Sequence, residues 1–225
     1  MNTQAHQSGI NKILSDMSKL RGREAGMRKG DMGEDAVLHI LKLYKKRIGR
    51  RCVIFQSYTY PYAPNVKGNI KLTPEGSFVH EPGKNGTKDE IDIIMLTDNR
   101  IFLIEVKAYS GKILVNDIWT YHANHWDEKS AICQAEKHGR HFYHSFYDVI
   151  PEGEQGYIKL ITVFTGLCDV EDKRTINQNY IPLAVANDIN KTVHHLDIPD
   201  KYHIDVDAVV ERMLEIKTDV KTIIM

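Results

Sequence analysis

The chain has 225 residues, 42% of them hydrophobic, and its 30 Lys and Arg are balanced by 30 Asp and Glu. That length can bury one sizeable core, and zero net charge argues against a protein that coats nucleic acid by bulk electrostatics. No apolar run approaches a membrane span and the opening MNTQAHQSGINK lacks a signal-peptide pattern, so a cytoplasmic protein is expected.

Ile10, Ile13, Leu14, Met17 and Leu20 recur at helical spacing, which predicts an amphipathic helix able to pack at home or to build a homodimer. RGREAGMRKG (21–30) after it reads as a linker, making 1–30 an appendage. Residues 1–51 carry twelve Lys and Arg against five Asp and Glu, so Arg21, Arg23, Arg28 and Lys29 are candidates for DNA-backbone contacts. A second helix is expected from Asp31, with Val37, Leu38, Leu41, Tyr44 and Ile48 as its apolar stripe. Glu34 falls on the buried side of its first turn, where a carboxylate needs a partner.

CVIFQSY (52–58) reads as a strand, and 59–88 as a long Pro- and Gly-rich excursion with a short strand at 77–80. Lys84 and Lys88 lie in or beside it as candidate phosphate contacts. EIDIIML (90–96) and RIFLIEVKA (100–108) are strong strand runs around a short turn at Asp98 and Asn99. A strand is expected at 112–115 and a helix at 129–148, with Ile132, Ala135, Phe142 and Phe146 facing the core. Gln134, His138, His141 and Ser145 then form a polar stripe, solvated or facing DNA. Strands at 157–164 and 180–186 and helices after Asn187 and near 206–217 follow. Strands alternating with helices point to an α/β domain around a central mixed sheet, with 31–170 as its body and 171–225 packed on it.

One strand poses a chemical question. IFLIEVK places Glu105 and Lys107 on one face of an otherwise apolar run. If Asp98 and Asn99 form the hairpin loop, counting outward sets Asp92 opposite Glu105, and like charges there repel. A divalent cation neutralises the pair, and Mg2+ suits a site of few carboxylates completed by water and phosphate.

An acid on a helix, then Asp on one strand and Glu-x-Lys on the next resembles the PD-(D/E)xK nuclease superfamily. MGEDAV (32–37), DEIDIIML (89–96), IFLIEVKAYSGKI (101–113), a Trp at 119 or 126 and ICQAEKH (132–138) are similar, in order and approximate spacing, to the nuclease-related domain, NERD. The likeness covers roughly 31–166 and implies a restriction-endonuclease-like fold, with Glu34, Asp92, Glu105, Lys107 and Gln134 at the functional positions. It also implies Mg2+, or Mn2+ in substitution, held by Asp92, Glu105, the Val106 carbonyl and Glu34. Lys107 would orient or deprotonate the attacking water, or neutralise developing charge, and Gln134 would bind the nucleophile or a phosphate. The expected activity is phosphodiester hydrolysis in DNA, with RNA or structured DNA as other substrates. The alternative is a catalytically silent binding module on the same fold.

Overall fold

The two apolar runs at 90–96 and 100–108 form neighbouring strands, and a six-stranded sheet is built around them. The computed structural model describes residues 12, 23–62, 70–72, 78–80, 87–122, 125–127, 130–150, 157–175, 180–199 and 203–225. In chain order the strands are β1 (Cys52–Tyr62), β2 (Ile70–Leu72), β3 (Phe78–His80), β4 (Thr87–Thr97), β5 (Ile101–Lys107) and β6 (Gly111–Val115). Then come β7 (Thr120–His122), β8 (His125–Asp127), β9 (Ile158–Phe164), β10 (Cys168–Asp172), β11 (Leu183–Val185) and β12 (Thr222–Ile224). The helices are α1 (Arg23–Ile48), α2 (Ala131–Phe146), α3 (Ile189–Leu196) and α4 (Val206–Ile216).

The main sheet runs β11-β9-β5-β4-β1-β12, with β5, β9 and β11 parallel and the β5, β4, β1 and β12 pairings antiparallel. A second sheet, β10-β6-β7-β8, branches off after β5, and β2 pairs with β3. This is the mixed α/β sheet expected from the sequence.

Both faces of the sheet are covered. Val37, Leu41 and Tyr44 of α1 and Val193 of α3 pack on Ile54, Met95, Ile104 and Ile161. On the other face Ile132, Phe142 and Phe146 of α2 and Val209 and Met213 of α4 pack on Phe55, Tyr58, Leu103 and Leu160. A central strand covered on both sides buries every residue, which is why 101–106 reads as an almost unbroken apolar run. Glu105 sits inside that run because the strand is a rigid mount for it.

The basic stretch expected as a linker is helical from Arg23 onward, and α1 runs unbroken through Gly26 and Gly30. Each such glycine costs about 1 kcal/mol against alanine, a penalty that the buried stripe of the later turns offsets. The helix expected at 10–20, apart from Lys12, lies outside the described residues, as do Arg21, Lys84 and the side chains of Arg23 and Arg28. The C-terminal segment completes the sheet edge, with Ile54 opposite Ile224 and Gln56 opposite Thr222. Among the described residues no helix is long and apolar enough to cross a membrane.

Candidate active site

The site forms where β4 and β5 part. Thr97 N donates to Arg100 O at 2.9 Å across the turn, and the ladder runs from Leu96 opposite Ile101 to Ile93 opposite Ile104. That register carries Asp92 to the position opposite Glu105, as counting outward predicts. Backbone pairing ends one step earlier, and Asp92 Oδ2 accepts the Val106 amide at 2.7 Å in place of a ladder bond. The carboxylate therefore caps the freed edge of β5.

The neighbouring strand is distorted at the same level. Phe55 and Tyr58 of β1 face one core, as do Ile91 and Ile94 of β4, so the two-residue alternation slips by one in both strands. Ser57 lies in the slip with φ +50°, the one positive φ among the described non-glycine residues. Its hydroxyl donates to Glu34 Oε2 at 2.9 Å, tying α1 to the strand. α1 comes close here because Gly33 carries no side chain: a Cβ there would lie 2.5 Å from Thr165 Oγ1.

Glu105 and Lys107 share a face of β5, as alternation requires. Lys107 Nζ lies 2.6 Å from Glu105 Oε1 and donates to Gln134 Oε1 at 2.8 Å. Gln134 reaches this point from the first turn of α2, whose start is fixed by Ser130 Oγ accepting from Ile132 N and Cys133 N. The structure thus brings Glu105, Lys107 and Gln134 into one chain of contacts, with Asp92 beside them and Glu34 across the slip.

Burial sets the charges, then proximity. Burial, reinforced by the Glu105 charge, pushes the Asp92 carboxyl up to about 8, against the pull of the Val106 amide. Burial works on Glu105 too, but contacts from His138 and the Lys107 ammonium outweigh it and hold its carboxyl below the usual value. Burial also raises Glu34, against the Ser57 hydrogen bond. In the absence of a cation, then, Glu105 is ionised at neutral pH and Asp92 is mostly protonated.

His138 corrects a sequence expectation. It is 5% exposed and does not belong to an outward, DNA-facing stripe. Its Nδ1 lies 2.9 Å from Asp89 Oδ2 and its Nε2 3.3 Å from Glu105 Oε2. His141, half-buried, likewise turns its Nδ1 to Asp89 Oδ2 at 2.9 Å. Burial lowers His138, but Asp89 and Glu105 more than compensate and lift it to about 9. Asp89 was missed because strict alternation from Leu96 puts it on the opposite face; the slip between Ile91 and Ile94 turns it towards α2. The available signal was the four-residue spacing of Gln134 and His138, which places them on one helix face. Lys88 is exposed at the start of β4 and Lys29 half-buried in α1, and neither touches the carboxylates.

Among the described residues no three His, Cys, Asp or Glu side chains already converge as a ligand set. The arrangement still fits a hard cation with few protein ligands. Burial, with the Glu105 charge adding to it, raises the Asp92 carboxyl, and Glu105 Oε2 has no hydrogen-bond partner. Mg2+ typically uses one or two carboxylates and keeps its remaining positions for water and phosphate.

A mixed sheet flanked by helices, with Asp and Glu-x-Lys at the parting of two central strands, defines a nuclease-like α/β domain of the PD-(D/E)xK kind. The chain belongs to the NERD family: the model of this nuclease-related domain matches residues 29–165, a span that includes every residue of the site described above. Neither a curated protein nor a solved structure matches the chain.

Proposed function

We propose that the protein is a divalent-cation-dependent nuclease that hydrolyses phosphodiester bonds in DNA. The observation that carries this reading is the contact chain Glu105–Lys107–Gln134 beside Asp92, all mounted where the central strands part. Asp92, Glu105 and the Val106 carbonyl are the groups that would hold Mg2+ or Mn2+, with Glu34 joining directly or through water. Such an ion, when bound, supplies a Lewis acid for the phosphoryl oxygen and lowers the pKa of water.

The chain's own residues do the rest. Lys107 is held at Glu105 Oε1 and Gln134 Oε1, so its ammonium has a fixed direction before substrate arrives. From there it orients the attacking water and counters negative charge growing on the phosphorus-bound oxygens, a role that depends on being in place beforehand. Gln134 serves by aiming Lys107, since its carbonyl oxygen accepts from that ammonium. Asp92 would release its proton to solvent where a cation is held, the ion's charge offsetting the repulsion that a second carboxylate beside Glu105 would bring.

The test is cleavage of supercoiled plasmid and single-stranded DNA by the purified chain with Mg2+, Mn2+ or EDTA, alongside E105A and K107A. Cation-dependent cutting lost in both variants is the expected result. Equal cutting by wild type and variants, or none under any condition, overturns the reading.

A further inference from the structure

One buried group is left unused by that reading. His138 lies between two buried carboxylates, Asp89 at 3% and Glu105 at 2% exposure. The two oxygens of Glu105 have different neighbours: Oε1 is met by Lys107 from the same strand at 2.6 Å, and Oε2 by His138 Nε2 from α2 at 3.3 Å. Neither Glu105 Oε2 nor His138 Nε2 has a hydrogen-bond partner, their 3.3 Å contact included, and Ile91, Leu103, Ile104 and Ala135 line the space around them. Those four side chains offer neither atom a polar partner, so in that space each faces the other.

The far side of the imidazole is equally committed. Its Nδ1 is 2.9 Å from Asp89 Oδ2, and Asp89 is also met by His141 Nδ1 at 2.9 Å, Lys137 Nζ at 3.4 Å and Tyr60 Oη at 3.5 Å. Asp89 is on β4 and His138 on α2, so the contact fixes the ring against the sheet. A carboxylate approached at one oxygen can swing about its last bond; one approached at both, from two elements, cannot.

We propose that His138, anchored by Asp89, is a positioning residue that holds Glu105 Oε2 and so fixes the orientation in which Glu105 meets the divalent cation. The inference rests on the nuclease reading and extends it to two residues outside the Asp and Glu-x-Lys pattern. Outer partners of this kind set ligand direction, and their loss commonly weakens metal binding by about 10–100-fold. Freed at Oε2, Glu105 can also offer both oxygens to one ion. That favours Ca2+, which accepts bidentate carboxylates, over the more exacting Mg2+.

The experiment is a titration of the full chain with Mn2+, read by the electron paramagnetic resonance of the free ion, with Ca2+ affinity measured by competition. The proteins are wild type, H138A, H138F, H138Q and D89N, and urea unfolding of each shows whether it is folded. H138A, or H138F if alanine does not fold, is expected to lose about 10–100-fold in Mn2+ affinity and to gain in Ca2+ relative to Mn2+. H138Q, which keeps an N–H donor, recovers most of the loss. D89N shifts both readings the same way by a smaller factor. A folded H138A or H138F with wild-type affinity and an unchanged Ca2+ to Mn2+ ratio overturns the inference, as does an unchanged D89N for the anchoring role. Wild type that takes up no Mn2+ overturns the nuclease reading along with it, so the two failures are told apart.

Discussion

Asp92 and Glu105 face each other at the parting of β4 and β5, and burial together with that proximity keeps Asp92 protonated up to about pH 8. The sign for stability follows from the raised pKa. The unfolded carboxyl ionises near 4, so its contribution to folding is fully present below that and is lost as pH rises towards 8. In EDTA, D92N is therefore expected to be more stable than wild type at pH 8, by on the order of 1 kcal/mol or more, with the gap closing below pH 5. Saturating Mg2+ or Mn2+ stabilises wild type and narrows or reverses the difference, since an ion that binds only the folded state adds to its stability. Urea unfolding across pH with and without the ion checks this; a constant gap from pH 5 to 8 refutes it.

Lys107 has two acceptors, and the variants should separate them. K107A removes the positioned ammonium and is expected to lower cleavage by about 100–1,000-fold, the range for losing one preorganised donor to a developing charge. Q134A removes the aim without the charge, so a smaller loss than that of K107A is expected, with unfolding midpoints close to wild type. Single-turnover cleavage at saturating DNA is the measurement. A Q134A loss as large as that of K107A would mean that Gln134 touches substrate itself.

The parts of this site legible in the sequence are those set by local geometry. The Asp92 and Glu105 register could be counted because two strong runs flank a short turn, and a slip of one residue would move every side chain to the other face. Glu34 could be placed because helical spacing put it with Val37 and Leu41. Asp89 and His138 could not be paired, because β4 slips between Ile91 and Ile94, level with Ser57 of β1, and so breaks the alternation that a reader has to assume. β12 was missed because three residues carry no period of their own. β10, read as CDVED, lacks the apolar character of a strand because it is an edge whose acids face solvent.

Gly166 links the fold to the site. A Cβ there would lie 1.6 Å from the carbonyl oxygen of Tyr109, which is backbone and cannot rotate away. On either side of it Thr165 N donates to Lys107 O at 3.0 Å and Gly111 N to Leu167 O at 2.9 Å, so the exits of β5 and β9 are pinned together. G166A is expected to destabilise the chain by about 1–3 kcal/mol. Because the displaced bond is that of Lys107, cleavage should fall further than the fraction unfolded explains. Unfolding midpoints and cleavage rates measured under the same conditions test it; activity that tracks the folded fraction would refute the coupling.

The hairpin is locked at its other end by Asp197, whose side chain is fully buried. It accepts from Tyr44 Oη at 2.9 Å, Thr97 Oγ1 at 2.8 Å and Asn99 Nδ2 at 3.3 Å, and it pairs with Arg50. Tyr44 comes from α1, Thr97 and Asn99 from the β4–β5 turn, and Asp197 from the end of α3, so one carboxylate ties two helices to the turn that sets the register. D197A leaves these donors without their acceptor and is expected to cost about 3 kcal/mol. D197N, which keeps one carbonyl oxygen for Thr97 or Tyr44, should cost less. The loss should appear in urea unfolding and leave Mn2+ affinity unchanged in the protein that remains folded, because Asp92 and Glu105 sit at the opposite end of the strands. An affinity change in folded D197A would instead mean that the register itself has loosened.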